Sequence, residues 1–407
     1  MDSQQFSFQF SQRALRLTSS AIREILKVTT RPEVISFAGG LPSPEGFPVE
    51  QLRQAFDRVL AMQGQAALQY GPTEGYQPLR EWVAAHMSRP GAAVSADEVL
   101  IVSGSQQALD MLGKLFIDPG SKVLVESPTY LGALQSFSVF EPEYVAVETD
   151  EWGLIPAEVS EPKAKGARFI YALPNFHNPT GLTLNRERRQ ELVERCAQEN
   201  ILIVEDDPYG ELRYLGTPQP TLLSLGRQHG AAVVHLGSFS KVLAPGLRLG
   251  YIVAPRAIID KLVQIKQATD LHSNTLAQMA VYEAIKDGFI QQHLPAVRDL
   301  YQQQCQYMLD AMEEHFPKEA VWTRPEGGMF IWVTLPEGID SEQLLLKAID
   351  EHVAFVPGTP FYATADGKPN TLRLSFVTVS EDRIREGIAI LGRLIREQAE
   401  QVVKISA

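Results

Sequence analysis

Cysteine is almost missing from this sequence. Cys196 and Cys305 are the only two, each in a polar, helix-like stretch. There is no CxxC pair and no metal-ligand spacing, so nothing supports a disulfide framework or a metal site. The two thiols read as inert and structural, and a reducing cytoplasm suits them. Long apolar runs are missing as well: none approaches the ~20 residues that a spanning helix needs. The opening MDSQQFSFQFSQRALRL has no basic region followed by an apolar one, so no secretory leader is expected. Positive charge is in deficit, with 37 Lys and Arg against 49 Asp and Glu, a formal net charge of -12. A nucleic-acid partner, which needs clustered cations to neutralise phosphates, is not expected. These absences leave a soluble, cytoplasmic protein with neither a membrane nor a nucleic acid as partner.

What is present is the material of a large folded chain. Its 407 residues, 44% hydrophobic and 21% charged, exceed one ordinary core and suggest two or three domains. Between Val99 and Pro255 short apolar runs alternate with amphipathic stretches. The runs are VLIVSG (99–104), KVLVES (122–127), YVAVET (144–149), ARFIYALP (167–174), ILIVEDD (201–207), AVVHLGS (232–238) and GYIVAP (250–255). They are rich in Val, Ile and Leu without strict alternation, as strands buried on both faces are. Helical stretches such as Ser105–Phe116 and Arg186–Glu199 lie between them. The pattern predicts an α/β fold with a mostly parallel seven-stranded sheet. A short amphipathic helix is expected over 20–28, and the Gly- and Pro-dense stretch 36–48 excludes regular helix. Residues 288–316 read as a long helix interrupted near Pro295. MFIWVTL (329–335) and TLRLSFV (371–377) read as strands, and a closing helix is expected near 381–400. This second part reads as a smaller α+β domain over 289–407, beside a large domain over 49–288, with the segment 1–48 joining the smaller one. No internal repeat or low-complexity tract is present.

Four motifs carry chemistry, and each follows a strand candidate. In GSFSKVLAPGLRLGY (237–251), Lys241 is flanked by Ser238 and Ser240, with Arg248 seven residues on. A loop lysine alone is a solvated charge. Hydroxyls, a Pro-Gly turn and an arginine around it suit a phosphate dianion, which arginine can grip bidentately. In ILIVEDDPYGEL (201–212) an apolar run ends in acids, where α/β sheets place ligand-binding groups. Asp206 there suits a protonated ring nitrogen, and Tyr209 a ring hydroxyl; a plain capping role is the alternative. PNFHNPTG (174–181) offers the Asn178 amide, although Asn-Pro is also a simple turn former; His177 reads as structural. SGSQQALDML (103–112) is a small-residue turn opening a helix, whose free N–H groups make an anion site with Ser105 and Gln106. Tyr130 in ESPTYLG could stack on an aromatic ring. Together these supply what pyridoxal 5′-phosphate (PLP) asks of a protein: an amine, an acid for the ring nitrogen, a phosphate cup and ring contacts.

At these residues the sequence resembles the fold-type I PLP-dependent aminotransferases of class I/II, with the aspartate aminotransferase-like fold. It is most similar to their 2-aminoadipate/kynurenine aminotransferase-like branch. The likeness also runs through SSAIREILKVT (19–29), ISFAGGLPSPEGFP (35–48), LQYGPTEGYQPLRE (68–81) and PEGGMFIW (325–332). The resemblance implies that Lys241 forms the Schiff base and shuttles the proton, Asp206 pairs with the pyridine nitrogen, and Tyr130 stacks on the ring. It implies that Asn178 and Tyr209 hold the phenolic oxygen, while Ser105, Gln106, Ser238, Ser240 and Arg248 surround the phosphate. Tyr70 matches the tyrosine that reaches the neighbouring subunit's phosphate, which implies a homodimer. Arg373 matches the arginine that clamps the substrate α-carboxylate, and Gly40 lies in the segment that covers the substrate. Ser20 and Arg23 match the SxxR site that meets an acidic substrate side chain; an exposed helix arginine is the alternative. The implied reaction is a ping-pong transfer of the amino group of an L-amino acid to a 2-oxo acid, 2-oxoglutarate above all. The donors it implies are 2-aminoadipate and glutamate, with aromatic or branched-chain amino acids beside them. Fold does not settle reaction type, so a β-lyase or decarboxylase on the same cofactor, or a non-catalytic sensing domain, stays open at this point.

Overall fold

The structure is a computed structural model that describes residues 8–17, 31–88, 92–364 and 367–406. The expected helix over 20–28 lies outside the described residues. The seven expected strands all form, within one or two residues of their sequence bounds. They lie in the order Val99–Val102, Gly250–Val253, Val233–Ser238, Leu202–Asp206, Ala167–Ala172, Lys122–Ser127 and Glu143–Asp150. A two-residue strand, Gly153–Leu154, folds back antiparallel on the last and makes the sheet eight-stranded. Too short to show any periodicity, it was not expected from the sequence. Gly250–Val253 is antiparallel to both its neighbours, while the pairings from Val233–Ser238 across to Glu143–Asp150 are parallel.

The strands lack strict alternation because both of their faces are buried. In Lys122–Ser127, Val123 and Val125 join one apolar cluster and Leu124 the other. In Ala167–Ala172, Phe169 and Tyr171 face one way, Ile170 and Ala172 the other. Successive side chains point to opposite faces, and helices cover each face.

A second sheet of four antiparallel strands holds Val321–Trp322, Phe330–Thr334, Thr371–Ser375 and Val356–Pro357 in that order. Ile35–Ser36 pairs in parallel with Val353–Ala354, which brings the Gly- and Pro-rich stretch alongside this sheet. The helix Phe289–His315 runs unbroken through Pro295, against the expected interruption. Proline costs a helix interior ~3 kcal/mol. Here Ile290, Leu294, Val297, Tyr301, Cys305, Met308 and Met312 form one continuous buried stripe, and that packing outweighs the lost backbone bond. Cys196 and Cys305 are both free and buried. No helix of the described residues is long and apolar enough to cross a membrane.

Candidate active site

One cavity of ≈ 340 Å³ opens at the carboxyl ends of the parallel strands, where such sheets place their ligands. Five of the strands deliver a residue at or beyond their carboxyl ends. Ser105 follows Val99–Val102, Tyr130 follows Lys122–Ser127, Asn178 follows Ala167–Ala172, Asp206 ends Leu202–Asp206, and Ser238 ends Val233–Ser238. Gln106, Tyr209, Ser240, Lys241, Arg248, Gly40 and Arg373 line the same cavity.

Lys241 Nζ donates to the Gly40 carbonyl at 2.8 Å. Burial, with Arg373 and Arg248 nearby, lowers its ammonium pKa to about 8. Asp206 is 2% exposed. Its Oδ2 accepts a hydrogen bond from the Tyr171 hydroxyl at 2.6 Å, while its buried Oδ1 has no hydrogen-bond partner among the described residues. Burial raises this carboxyl to about 6, and the Tyr171 bond pulls the other way. Asn178 bridges two groups: its amide donates towards the Tyr209 hydroxyl at 3.4 Å and its carbonyl accepts from Arg373 Nη1 at 2.8 Å. Arg373, in the strand Thr371–Ser375, is 1% exposed. Its Nη2 donates to the Ala38 carbonyl at 2.8 Å, and its guanidinium lies over Phe330 and Phe361. Burial lowers it to about 10, which leaves it charged at neutral pH, and its buried Nε has no hydrogen-bond partner among the described residues.

The end of the cavity around Arg248 is built by close packing against the backbone. Gly104, at φ 86°, precedes the helix Ser105–Phe116. A Cβ on it would lie 2.7 Å from Arg248 Nη2, so only glycine lets that guanidinium approach. Arg248 itself holds a left-handed conformation at φ 49°. The Ser238 hydroxyl accepts the Ser240 N–H at 3.1 Å.

Several expected residues sit differently. Gln106 lines the cavity, but its amide nitrogen is engaged by the Gly132 carbonyl and the Ser136 hydroxyl. Tyr70 is 78% exposed and meets the His272 ring edge-on at 5.7 Å, outside the cavity of its own chain. Ser20 and Arg23 lie outside the described residues. His177 is buried, with its Nδ1 against the Thr180 hydroxyl at 2.8 Å. Tyr171 was missed. It pairs across the sheet with Val204, two residues before Asp206, so both side chains leave on the same face. Its hydroxyl inside an apolar strand was the signal available.

An amine, a buried acid and a cationic cup converging on one cavity define a class of enzyme, those that work through pyridoxal 5′-phosphate. Comparison with known proteins narrows the class. Residues 32–391 match the family pattern of aminotransferase class I and II, and the chain belongs to that family. It is 46% identical over 389 residues to the 2-aminoadipate transaminase of Thermus thermophilus, covering 95% of this chain and 96% of that one. It is 44% identical over 402 residues to the aromatic-amino-acid aminotransferase 1 of Thermococcus litoralis, covering 96% and 95%. The crystal structure of the Pyrococcus horikoshii kynurenine aminotransferase, in complex with pyridoxamine phosphate, superposes with a TM-score of 0.91 at 44% identity, covering 96% of this chain and 97% of that one. The chain is therefore a PLP-dependent transaminase with the aspartate aminotransferase-like fold. The cavity fits the cofactor on its own terms: the N–H of a protonated pyridine ring would give Asp206 Oδ1 the partner it lacks.

Proposed function

We propose that this transaminase moves the amino group of 2-aminoadipate, glutamate and aromatic or branched-chain L-amino acids to 2-oxoglutarate by a ping-pong mechanism. The observation that carries the reading is Arg373, a buried cation facing the cavity whose Nε has no hydrogen-bond partner among the described residues. It is suited to bind an α-carboxylate with charge-assisted bonds. The names of the relatives, one acting on 2-aminoadipate and one on aromatic amino acids, support donors of both kinds.

The roles follow from the geometry. Bound here, PLP supplies an electron sink for negative charge at the substrate α-carbon. Arg248, Ser105, the first-turn backbone N–H of Gln106, Ser238 and Ser240 would hold its phosphate, Asp206 would keep its ring nitrogen protonated, Asn178 and Tyr209 would hold its phenolic oxygen, and Tyr130 would cover the ring. Lys241 carries the proton. Burial and the nearby Arg373 and Arg248 lower its ammonium pKa, which favours the neutral Nζ that can take the α-proton and return it. Gly40 and its segment, with 1–48 joining the unit 289–407, close over the substrate that the unit 49–288 receives. Tyr70, exposed in one protomer, serves the phosphate of a second copy in a cytoplasmic homodimer. Arg23 and Ser20, outside the described residues, meet the acidic side chain of the acidic donors.

A steady-state panel of glutamate, 2-aminoadipate, leucine, phenylalanine and kynurenine with 2-oxoglutarate tests the reading. Each accepted donor, given alone, should release one equivalent of oxo acid per subunit and stop. Arg23→Ala should lower kcat/KM for the acidic donors more than for the apolar ones. Equal losses across the panel would remove Arg23 as a selector, and continued turnover without an acceptor would favour a lyase.

A further inference from the structure

Lys266, in the last turn of the helix Arg256–Thr269, has no solvent exposure and lies outside the cavity described above. A buried ammonium is tolerated only when its donors are met. Its Nζ donates to both Asp270 oxygens at 2.9 and 3.0 Å, to Gln107 Oε1 at 3.0 Å and to the Ser273 hydroxyl at 3.1 Å. Each of these partners also holds Ser103. Gln107 Oε1 accepts the Ser103 N–H at 2.7 Å. The Ser103 hydroxyl lies 3.2 Å from Ser273 Oγ and donates to Asp270 Oδ2 at 3.3 Å. Gln107 Nε2 closes the ring of contacts on Asp270 Oδ2 at 2.7 Å.

Ser103 is the first residue of the turn Ser103-Gly104-Ser105. Arg248 presses on the other side of that turn, against Gly104. Gly250 backs it too: a Cβ there would come within 3.2 Å of Ser105 N. The turn is thus fixed from both sides, by Arg248 and Gly250 on one and by the Lys266 group on the other. Since Asp270 balances the Lys266 charge, the group adds little long-range attraction for an anion. Its contribution is orientation, aiming the first free N–H groups of the helix Ser105–Phe116 into the cavity.

We propose that Lys266, through Gln107, Asp270 and Ser273, is a positioning residue that holds the Ser103-Gly104-Ser105 turn in its phosphate-binding form. The proposal rests on the reading that this turn and Arg248 hold the cofactor phosphate. It predicts a defect confined to the phosphate, which a general packing role would not produce.

The test compares cofactor binding in the wild type, Lys266→Arg, Lys266→Met and the double variant Lys266→Met/Asp270→Asn. The double variant leaves no unpaired buried charge and keeps the experiment open if Lys266→Met does not fold. Holoenzyme is dialysed against graded pyridoxal 5′-phosphate or graded pyridoxal, which lacks the phosphate, and bound cofactor is read by absorbance. The double variant should bind the phosphorylated form about tenfold more weakly, on the scale of one hydrogen bond to a charged group. Pyridoxal binding should not change, and Lys266→Arg should recover part of the loss. Unchanged affinity for the phosphorylated form, or equal loss for both forms, would overturn the proposal. Arg248→Ala separates the two claims. If it too fails to discriminate between the forms, the phosphate reading falls and the proposal with it; if it discriminates and the double variant does not, the proposal alone falls.

Discussion

Replacing Glu126 with glutamine should remove a specific part of the protein's pH-dependence of stability. Glu126 is 2% exposed and His177 is 4% exposed, and their Oε2 and Nε2 atoms lie 3.4 Å apart. Glu126 Oε2 also accepts the Leu173 N–H at 2.8 Å, and Leu173 lines the active-site cavity. Burial raises the Glu126 carboxyl to about 8 and lowers the His177 imidazole to about 3. Between those limits the folded pair holds one proton, whichever of the two atoms carries it. In the unfolded chain, ordinary values of 4.5 and 6.5 leave two protons below the first, one between them and none above the second.

The folded pKa of Glu126 is raised, so its favourable contribution is complete below 4.5 and is lost as pH rises towards 8. The folded pKa of His177 is depressed, so its contribution is complete above 6.5 and is lost as pH falls towards 3. Between 4.5 and 6.5 the two slopes cancel. Between pH 6.5 and 8 only Glu126 acts, and at ~1.4 kcal/mol per pH unit stability should fall by at most ~2 kcal/mol. Urea unfolding of cofactor-saturated protein, followed by circular dichroism at pH 6.5 and pH 8, measures this. Glutamine keeps the size and an acceptor for Leu173 but cannot titrate. The wild type should therefore lose up to about 2 kcal/mol more than Glu126→Gln over that interval, a difference in which the other titrating groups cancel. Equal losses in the two proteins would refute the reasoning.

Two further outcomes follow from the site. Tyr171→Phe removes the donor to Asp206 Oδ2, leaving the buried carboxyl still harder to ionise and a poorer partner for a ring cation. Affinity for pyridoxal 5′-phosphate should fall roughly tenfold or more, as for other hydrogen bonds to charged groups, with the melting temperature of the cofactor-free protein changed little. Arg373→Gln should lower kcat/KM for every amino donor by at least about a hundredfold, the scale for losing one partner of a buried charge pair, while cofactor absorbance persists. An unchanged KM would remove Arg373 from the carboxylate site.

Most of the sheet was legible because strands buried on both faces write themselves as continuous apolar runs, and the ends of those runs located Lys241, Asp206, Asn178 and Ser105. What escaped depends on contacts across long stretches of chain. The bond from Tyr171 to Asp206 spans 35 residues, that from Lys266 to Gln107 spans 159, and that from Arg373 to the Ala38 carbonyl spans 335; no local pattern announces them. Gln106 and Gln107 show the limit most closely. They are adjacent in SGSQQALD, and either could face the anion. Helical phase decides between their roles, since neighbours on a helix point about 100° apart. Gln106 turns to Gly132 and Ser136, whereas Gln107 turns under the turn to bind Ser103, Lys266 and Asp270. The motif that reads as a phosphate cup therefore also contains, in Gln107, a group bonded to Ser103 behind it. A motif read residue by residue assigns Gln106 to the ligand and gives Gln107 no role, and only the fold shows Gln107 bonded to the Ser103 backbone behind the cavity.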